Sequence, residues 1–203
     1  MLTCERCHLR QDLCLCQQAP RLSELPRITL LTHERELQKT TNTGRLLLAT
    51  LPGAELMLWS RRETDRALSE RAAQSGLQQV LLFPDKPSES QPAGHPVTCI
   101  QQPEPNREEY ILLDATWQQA GKMLRQSRLL KTLPRLSLQT PQESVYHLRR
   151  NQQPGNLSTA ETAIALLHNI RQPEDAVQLQ QHFERFLHHY EAHRSHHPLT
   201  DST

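Results

Sequence analysis

Four of the five cysteines lie within thirteen residues, as Cys4, Cys7, Cys14 and Cys16. The spacing Cys-x2-Cys-x6-Cys-x-Cys is typical of a tetrahedral thiolate site, in which a tight turn supplies two ligands and a loop returns the other two. Disulfides are not expected, because the sequence shows no export signal. We therefore predict a bound zinc ion, with an iron–sulfur cluster as the alternative and His8 as a replacement for one cysteine.

The metal is also expected to order this segment, because we predict that it buries few apolar side chains. Cys99 stands apart from the four clustered cysteines. We expect it to be a small buried residue.

Three further places combine residue types that could bind a ligand. Asp114, Thr116 and Trp117 directly follow the apolar run Tyr110–Leu113, and Leu82-Phe83-Pro84 ends another apolar run. Open α/β sheets bind ligands beyond the carboxyl ends of their strands. The third place is the helix start Ser158-Thr159-Ala160-Glu161, whose main-chain amides favour an anionic group.

A purely structural role is open for the same residues. Thr116 with Gln119, and Ser158 with Glu161, have the spacing of a helix capping box. The six glycines form no Gly-x-Gly pattern and no phosphate-binding loop. Generic motifs therefore do not identify the chemistry.

Alternating strands and helices should position these residues. Apolar runs predict strands at Arg27–Thr32, Glu55–Trp59, Gln79–Phe83, Val97–Ile100, Tyr110–Leu113 and Leu133–Leu138. Helical spacing predicts helices over Asn42–Leu51, Glu63–Ala73, a stretch from Trp117, Ser158–Ile170 and Ala176–His193. This alternation predicts an α/β fold with a largely parallel sheet.

Composition indicates a lean core and no membrane segment. Of 203 residues, 36% are hydrophobic, below the usual ~45–50%. The densest apolar run, Leu46–Leu51, is much shorter than the ~18 residues of a membrane helix. We therefore expect a cytoplasmic protein that does not enter a membrane.

Charge is balanced overall but uneven along the chain. The net charge is +1, yet residues 107–150 hold eight Lys or Arg against four Asp or Glu, a local +4. Residues 151–203 hold three against six, a local −3. The basic stretch fits either a phosphate-binding face or scattered solvated charge. Its basic residues include Lys122, Arg125, Arg128, Arg149 and Arg150.

Taken together, the motifs resemble those of the DTW-domain family, the tRNA-uridine aminocarboxypropyltransferases. The signature DxTW stands here as Asp114-Ala115-Thr116-Trp117, with Ala115 where the family often has glycine. The other matching segments, in order, are the cysteine pattern, His33–Glu36, Asn42-Thr43-Gly44, Leu82-Phe83-Pro84, Leu133-Pro134, Leu148-Arg149-Arg150 and Leu157–Glu161. The resemblance covers residues 4–170.

The resemblance implies a SPOUT-like α/β fold with a trefoil-knotted S-adenosylmethionine site. It implies transfer of the 3-amino-3-carboxypropyl group to N3 of a tRNA uridine, at variable-loop position 47, with release of methylthioadenosine. Asp114 would then be the base or orient the donor's amino end, Thr116 would hydrogen-bond donor or uracil, and Trp117 would wall the donor pocket. The remaining donor contacts would be Leu82, Phe83, Pro84, Leu113, Ser158, Thr159 and Glu161. The residues that would meet tRNA phosphates are Lys122, Arg125, Arg128, Arg149 and Arg150.

The expected organisation is a knuckle and linker at 1–26, a catalytic domain at 27–194 and a polar tail at 195–203. We expect a monomer with tRNA as partner, in which the zinc knuckle shapes the RNA surface. Three alternatives stay open: a SPOUT-type RNA methyltransferase, an aminocarboxypropyltransferase acting on ribosomal RNA, and a non-catalytic zinc-anchored RNA-binding module.

Overall fold

The structure is a computed structural model that describes residues 2–83, 98–138 and 157–195. Within these residues the chain forms two compact units. The first unit contains residues 2–23, 38–52 and 157–195. The second unit contains residues 24–37, 53–83 and 98–138.

The second unit is built on a five-stranded sheet in which every pairing is parallel. Its strands are β1 (Arg27–Thr32), β2 (Ala54–Leu58), β3 (Gln78–Leu82), β4 (Glu108–Asp114) and β5 (Arg135–Leu136). The strand order is β2-β1-β4-β3-β5. Strands β1 and β4 are therefore central, and nearly all of their residues are buried, as expected for the middle of a parallel sheet.

Three helices of the second unit pack with the sheet: α2 (Thr64–Ser75), α3 (Trp117–Gln126) and α4 (Arg128–Thr132). Helix α2 ends at Gly76, which adopts the left-handed conformation that glycine tolerates best. The buried side chains of this core are Leu31, Leu68, Leu81, Ile111, Met123, Leu124, Leu130 and Leu133. They place the apolar side of these helices against one face of the sheet.

A buried polar network lies near the amino ends of the strands. The Glu109 carboxylate accepts hydrogen bonds from the Thr29 hydroxyl at 2.7 Å, from the Gln79 amide at 3.1 Å and from the Arg71 guanidinium. Arg71 also pairs with Glu55 at 2.7 Å. This buried carboxylate is thus compensated by a neighbouring cation, which indicates a structural role.

The first unit is helical. It contains α1 (Gly44–Thr50), α5 (Thr159–Asn169) and α6 (Pro173–Ser195), with a short 3-10 turn at Gln11–Leu13. A second 3-10 turn, at Glu34–Glu36, belongs to the second unit. Helices α5 and α6 bury mainly alanine, leucine and phenylalanine, together with one histidine, His182.

His182 should make the protein less stable in acid. Its side chain is 1% exposed, and burial, with Arg185 and His189 nearby, lowers its pKa to about 4. The unfolded chain binds this proton near pH 6.5, so the stabilisation is complete above that pH and is lost as pH falls towards 4. We expect protonation of His182 to lower the free energy of unfolding by about 2 kcal/mol between pH 7.5 and pH 5.

Urea unfolding at both pH values measures this loss. His182→Leu should flatten the pH dependence by about that amount, with His168→Gln, at an exposed position of α5, as the control. Equal pH dependence of the wild type and His182→Leu would contradict the prediction.

The structure confirms the α/β class and shifts the bounds of the four long strands by at most two residues. The strand predicted at Leu133–Leu138 is present but shorter, whereas no strand is found in the described residues of Val97–Ile100. The former reduces to β5, and the described part of the latter contributes only an isolated bridge between Cys99 and Arg135. Cys99 is half-buried rather than buried.

Helix bounds also differ from the sequence predictions. The helix predicted at Asn42–Leu51 begins only at Gly44, because the Asn42 side chain precedes it and accepts from the Arg45 amide at 3.3 Å. The final helix begins at Pro173, three residues before the predicted start. Helix α4 was not predicted. Its first amides are bound by Asp65 of α2, a contact between residues far apart in sequence.

Candidate active site and metal centre

The carboxyl ends of β1 and β4 lie side by side, with Thr32 paired to Asp114. From β1 the chain continues to β2 on one side of this pair, and from β4 it continues past β3 to β5 on the other side. Such a reversal of direction leaves a crevice outside the strand ends, where open α/β sheets bind ligands. The strand order therefore places Asp114 at the topological switch point of the sheet.

Asp114 is fixed by the neighbouring strand. Its side chain is 3% exposed, and Oδ2 accepts a hydrogen bond from the Thr32 hydroxyl at 3.1 Å. Its main-chain oxygen accepts from the His33 amide at 3.1 Å. The His33–Glu36 and Asp114–Trp117 segments, 80 residues apart in the chain, thus meet at one place.

His33 is the residue of this group to which sequence analysis gave no role. Its Nδ1 accepts a hydrogen bond from the Arg35 amide at 3.2 Å, and the ring is half-buried. A neutral imidazole that accepts at Nδ1 carries its proton on Nε2. The signal was present in the sequence as the His33–Glu36 motif, but its proximity to Asp114 depends on strand pairing.

Thr116 begins α3 with a complete capping box. Its Oγ1 accepts from the Gln119 amide at 3.3 Å, and its own amide donates to the Gln119 side chain at 2.8 Å. The predicted cap is therefore present. Because Oγ1 is the acceptor in this pair, the hydroxyl proton can still be donated to a ligand.

An aromatic wall follows β3 and β4. The rings of Phe83 and Trp117 lie 5.9 Å apart, and Trp117 is 37% exposed. The Arg135 guanidinium lies over Phe83 at 5.8 Å from the ring centroid, a cation–π arrangement. Leu82 is buried, Leu113 is partly buried, and Pro84 lies outside the described residues. We call His33, Phe83, Asp114, Thr116 and Trp117 the strand-end site.

The start of α5 lies in the first unit and is also capped. Ser158 Oγ accepts from the Glu161 amide at 3.3 Å, and the Glu161 carboxylate accepts from the Ser158 amide at 2.7 Å. The Ala160 amide donates to Thr43 Oγ1 at 3.2 Å. The amides of Ala160 and Glu161, which were expected to face an anion, thus already have side-chain partners. The partner of the Ala160 amide, Thr43, belongs to the Asn42-Thr43-Gly44 motif.

Paired substitutions separate capping from ligand binding at α5. Ser158→Ala should destabilise the protein by about 1 kcal/mol, because it removes one half of the cap. Glu161→Gln keeps an acceptor for the Ser158 amide and should change stability by less than about 0.5 kcal/mol. A donor contact at Glu161 predicts a higher Kd for S-adenosylmethionine in this second variant, measured by calorimetry. An unchanged Kd would contradict that contact.

The four clustered cysteines converge in the first unit. Their sulfur atoms all lie within 4.8 Å of one another, with 3.8 Å between Cys4 and Cys16 and 3.8 Å between Cys7 and Cys14. A tetrahedron of 2.3 Å zinc–sulfur bonds has edges of about 3.8 Å, so the spacing is compatible with one zinc ion. An iron–sulfur cluster inserts several atoms between its thiolates and needs wider spacing. His8 does not belong to this group.

The ionisation of the thiols differs within the quartet. Burial opposes ionisation of Cys4, but hydrogen bonds from the main chain of Cys7 and Arg6 prevail and lower its pKa to about 6. Burial raises the pKa values of Cys7 and Cys16. A metal ion binds thiolates, so its binding would release the protons that the raised pKa values retain.

The cysteine knuckle, residues 4–16, is not poor in buried apolar residues, and that expectation was wrong. Leu9, Leu13 and Leu15 are buried. Helix α6 adds two polar contacts: His189 Nδ1 lies 3.0 Å from the Leu13 oxygen, and His193 Nδ1 accepts from the Arg10 amide at 3.1 Å. The knuckle is thus packed into the first unit through leucines that sequence reasoning overlooked.

Three of the basic residues predicted to contact RNA, Lys122, Arg125 and Arg128, are exposed on α3 and α4. Arg149 and Arg150 lie outside the described residues. Within residues 2–83, 98–138 and 157–195, none of the helices has the length and apolar character needed to cross a membrane.

No solved structure matches the chain. The family model described as the DTW domain matches residues 1–191, almost the whole chain, including the cysteine knuckle and the strand-end site. The protein therefore belongs to the DTW domain family, which is associated with tRNA modification.

Proposed function

We propose that this protein transfers the 3-amino-3-carboxypropyl group of S-adenosylmethionine to N3 of a tRNA uridine, at variable-loop position 47, releasing methylthioadenosine. Membership of a family associated with tRNA modification supports an RNA substrate. The observation that carries the proposal is the strand-end site, where Asp114 lies beside His33 and Trp117 at the switch point of the sheet.

At the donor carbon, the reaction makes a carbon–nitrogen bond and breaks a carbon–sulfur bond. Uridine N3 attacks the carbon of the aminocarboxypropyl group that is bonded to sulfur, the carbon–sulfur pair of electrons returns to sulfur, and the sulfonium becomes a neutral thioether. The N3 proton must leave to a base. Attack at the methyl carbon would give methylation instead, so the position of the donor relative to N3 decides the product.

Asp114 is proposed as the base. A carboxylate at the switch point would lie beside a ligand bound there, and the Thr32 hydroxyl, 3.1 Å from Oδ2, holds its orientation. This carboxylate would accept the N3 proton. The same carboxylate could instead orient the donor's ammonium group, and the two roles predict different kinetics.

His33 is proposed to stabilise the uracil as it loses its proton. Because Nδ1 is held by the Arg35 amide, the neutral ring presents Nε2–H as a donor. A uracil carbonyl oxygen gains negative charge as N3 is deprotonated, and a positioned donor stabilises that charge.

The remaining residues bind and orient. Thr116 would donate its hydroxyl proton to donor or uracil, and the exposed face of Trp117 offers a stacking surface for a base. Leu82, Phe83, Pro84 and Leu113 would line the adenine site. Ser158, Thr159 and Glu161 remain a separate proposal as donor contacts.

A zinc ion in the cysteine knuckle would have a structural role. Four thiolates fill its tetrahedral coordination, so it would hold the first unit together and offer no open position for a reactant.

Mass spectrometry of a reaction with purified protein, unmodified bulk tRNA and S-adenosylmethionine tests the proposal. We expect a uridine heavier by one aminocarboxypropyl group, together with methylthioadenosine. A methylated nucleoside with adenosylhomocysteine would establish a methyltransferase instead. Modification of ribosomal RNA but not of tRNA would identify ribosomal RNA as the substrate. RNA binding without binding of S-adenosylmethionine would identify the protein as a non-catalytic binding module.

A further inference from the structure

The loop after β2 presents two arginines in a closed turn. The Ser60 amide donates to Thr64 Oγ1 at 2.8 Å, and the Thr64 amide donates to the Ser60 oxygen at 3.1 Å. Thr64 is buried, whereas Arg61 and Arg62 are exposed. We call residues 60–64 the arginine loop. Because both ends of this loop are fixed by hydrogen bonds, its conformation costs little entropy to maintain when a ligand binds.

A third arginine lies on the adjacent loop. The Trp59 amide donates to the Thr32 oxygen at 2.9 Å, so β1 and β2 are still paired where they end and their following loops are neighbours. Arg35 is exposed on the 3-10 turn after β1, and its amide is held by His33 Nδ1 at 3.2 Å. The three arginines thus lie at the same edge of the sheet as Asp114.

Their guanidinium groups are available to a ligand. Within the described part of the chain, Arg35, Arg61 and Arg62 form no ion pair. The exposed carboxylates of the same loops, Glu34 and Glu63, are likewise not paired with them. Arginine's planar fork binds a phosphate through two parallel hydrogen bonds. This edge of the sheet is therefore suited to a phosphodiester backbone.

Helix α3 carries Lys122 and Arg125 progressively farther from the strand-end site along its axis. Helix α3 starts at the strand-end site, and after α4 the chain forms β5, which pairs with Leu81 and Leu82 at the carboxyl end of β3. At 1.5 Å per residue, Lys122 lies about 7.5 Å and Arg125 about 12 Å along the axis from Trp117. The ends of β2 and β4 are two strand spacings apart, about 10 Å across the site edge itself, so the arginine loop begins at a comparable distance and differs in being held by hydrogen bonds at both ends.

We propose that Arg61 and Arg62 of the arginine loop, with Arg35, hold the RNA backbone next to the target uridine, so that the substrate approaches over the β1–β2 side of the sheet. This inference rests on the proposed function and adds the surface and the direction of approach. It predicts that the arginine loop contributes to RNA affinity and not to binding of S-adenosylmethionine.

The test compares two double variants with the same loss of charge. Arg61→Gln/Arg62→Gln removes the loop arginines. Arg27→Gln/Arg107→Gln removes two exposed arginines from the amino edge of the same sheet. Fluorescence anisotropy with unmodified tRNA is measured across a salt series, and donor binding is measured by calorimetry.

We expect the loop variant to bind tRNA at least about tenfold more weakly, with a salt slope smaller by about 1.4–1.8, as for two lost phosphate contacts. Its affinity for S-adenosylmethionine and the tRNA affinity of the control variant should both stay within about twofold of wild type, because neither change removes a proposed contact.

Wild-type tRNA affinity and salt slope in the loop variant would overturn the inference and leave the proposed function standing. The same holds if only Lys122→Gln/Arg125→Gln weakens binding, which would place the RNA on α3. If the wild-type protein binds no tRNA, the proposed substrate fails and the inference fails with it.

Discussion

Replacing Asp114 by asparagine is expected to slow aminocarboxypropyl transfer by about 10²–10⁴-fold, the usual contribution of a general base. The amide oxygen can still accept from the Thr32 hydroxyl, and the main-chain bond to His33 is unaffected, so the fold should be preserved. The measurement is the single-turnover rate with saturating donor and unmodified tRNA, followed as a function of pH.

The pH profile distinguishes the two roles proposed for Asp114. If the carboxylate is the base, the Asp114→Asn rate should rise with pH as solvent removes the N3 proton, while the Kd for S-adenosylmethionine stays unchanged. If it orients the ammonium group, that Kd should rise. Glu104→Gln, which removes an exposed carboxylate before β4, is the matched control. An Asp114→Asn protein with the wild-type rate would refute both roles.

The location of Asp114 could be predicted from sequence because the evidence is local. An apolar strand that runs directly into Asp-x-Thr-Trp predicts a polar group at a strand end, and Thr116 with Gln119 predicts the cap, which is present. The residues that contact Asp114 from the neighbouring strand could not be predicted from the sequence. His33 and Thr32 reach Asp114 only through the pairing of β1 with β4, which joins residues some 80 positions apart.

The position of the arginine loop also could not be predicted from the sequence. Arg61 and Arg62 are unremarkable in the sequence, since paired arginines are usually solvated surface charge. Their proposed role in RNA binding depends on the strand order. Because β2 lies beside β1, the loop that follows β2 lies on the same edge of the sheet as the strand-end site. Conversely, the basic stretch noted from charge counts includes Lys122 and Arg125 on α3, whose axis leads away from that site.

The convergence of the four cysteines could be predicted from sequence, but their place in a packed unit could not. Spacing alone brings four thiolates together, because the ligands are all within thirteen residues. The leucines beneath them and the contacts from His189 and His193 belong to a helix at the other end of the chain. Metal binding should therefore stabilise α6 as well as the knuckle.

Removing the metal is expected to lower the free energy of unfolding of the first unit by at least about 5 kcal/mol, below the ~10–16 kcal/mol typical of isolated zinc fingers. The smaller value is expected because Leu9, Leu13 and Leu15 remain buried without metal. At about 2–4 °C per kcal/mol, Tm should fall by roughly 10–20 °C. The measurement is thermal unfolding before and after chelation, with metal content determined by mass spectrometry.

Substitution of the ligands should reproduce the effect of chelation. Cys7→Ser removes the buried ligand of the quartet and should lower both metal content and Tm. Cys99→Ser, in the second unit and outside the quartet, should change neither. Hydrogen exchange should then show faster exchange at α6 in Cys7→Ser, because His189 and His193 lose their partners when the knuckle loosens. Full metal content and an unchanged Tm in Cys7→Ser would contradict a structural metal, whereas a lower Tm without faster exchange at α6 would confine its effect to the knuckle itself.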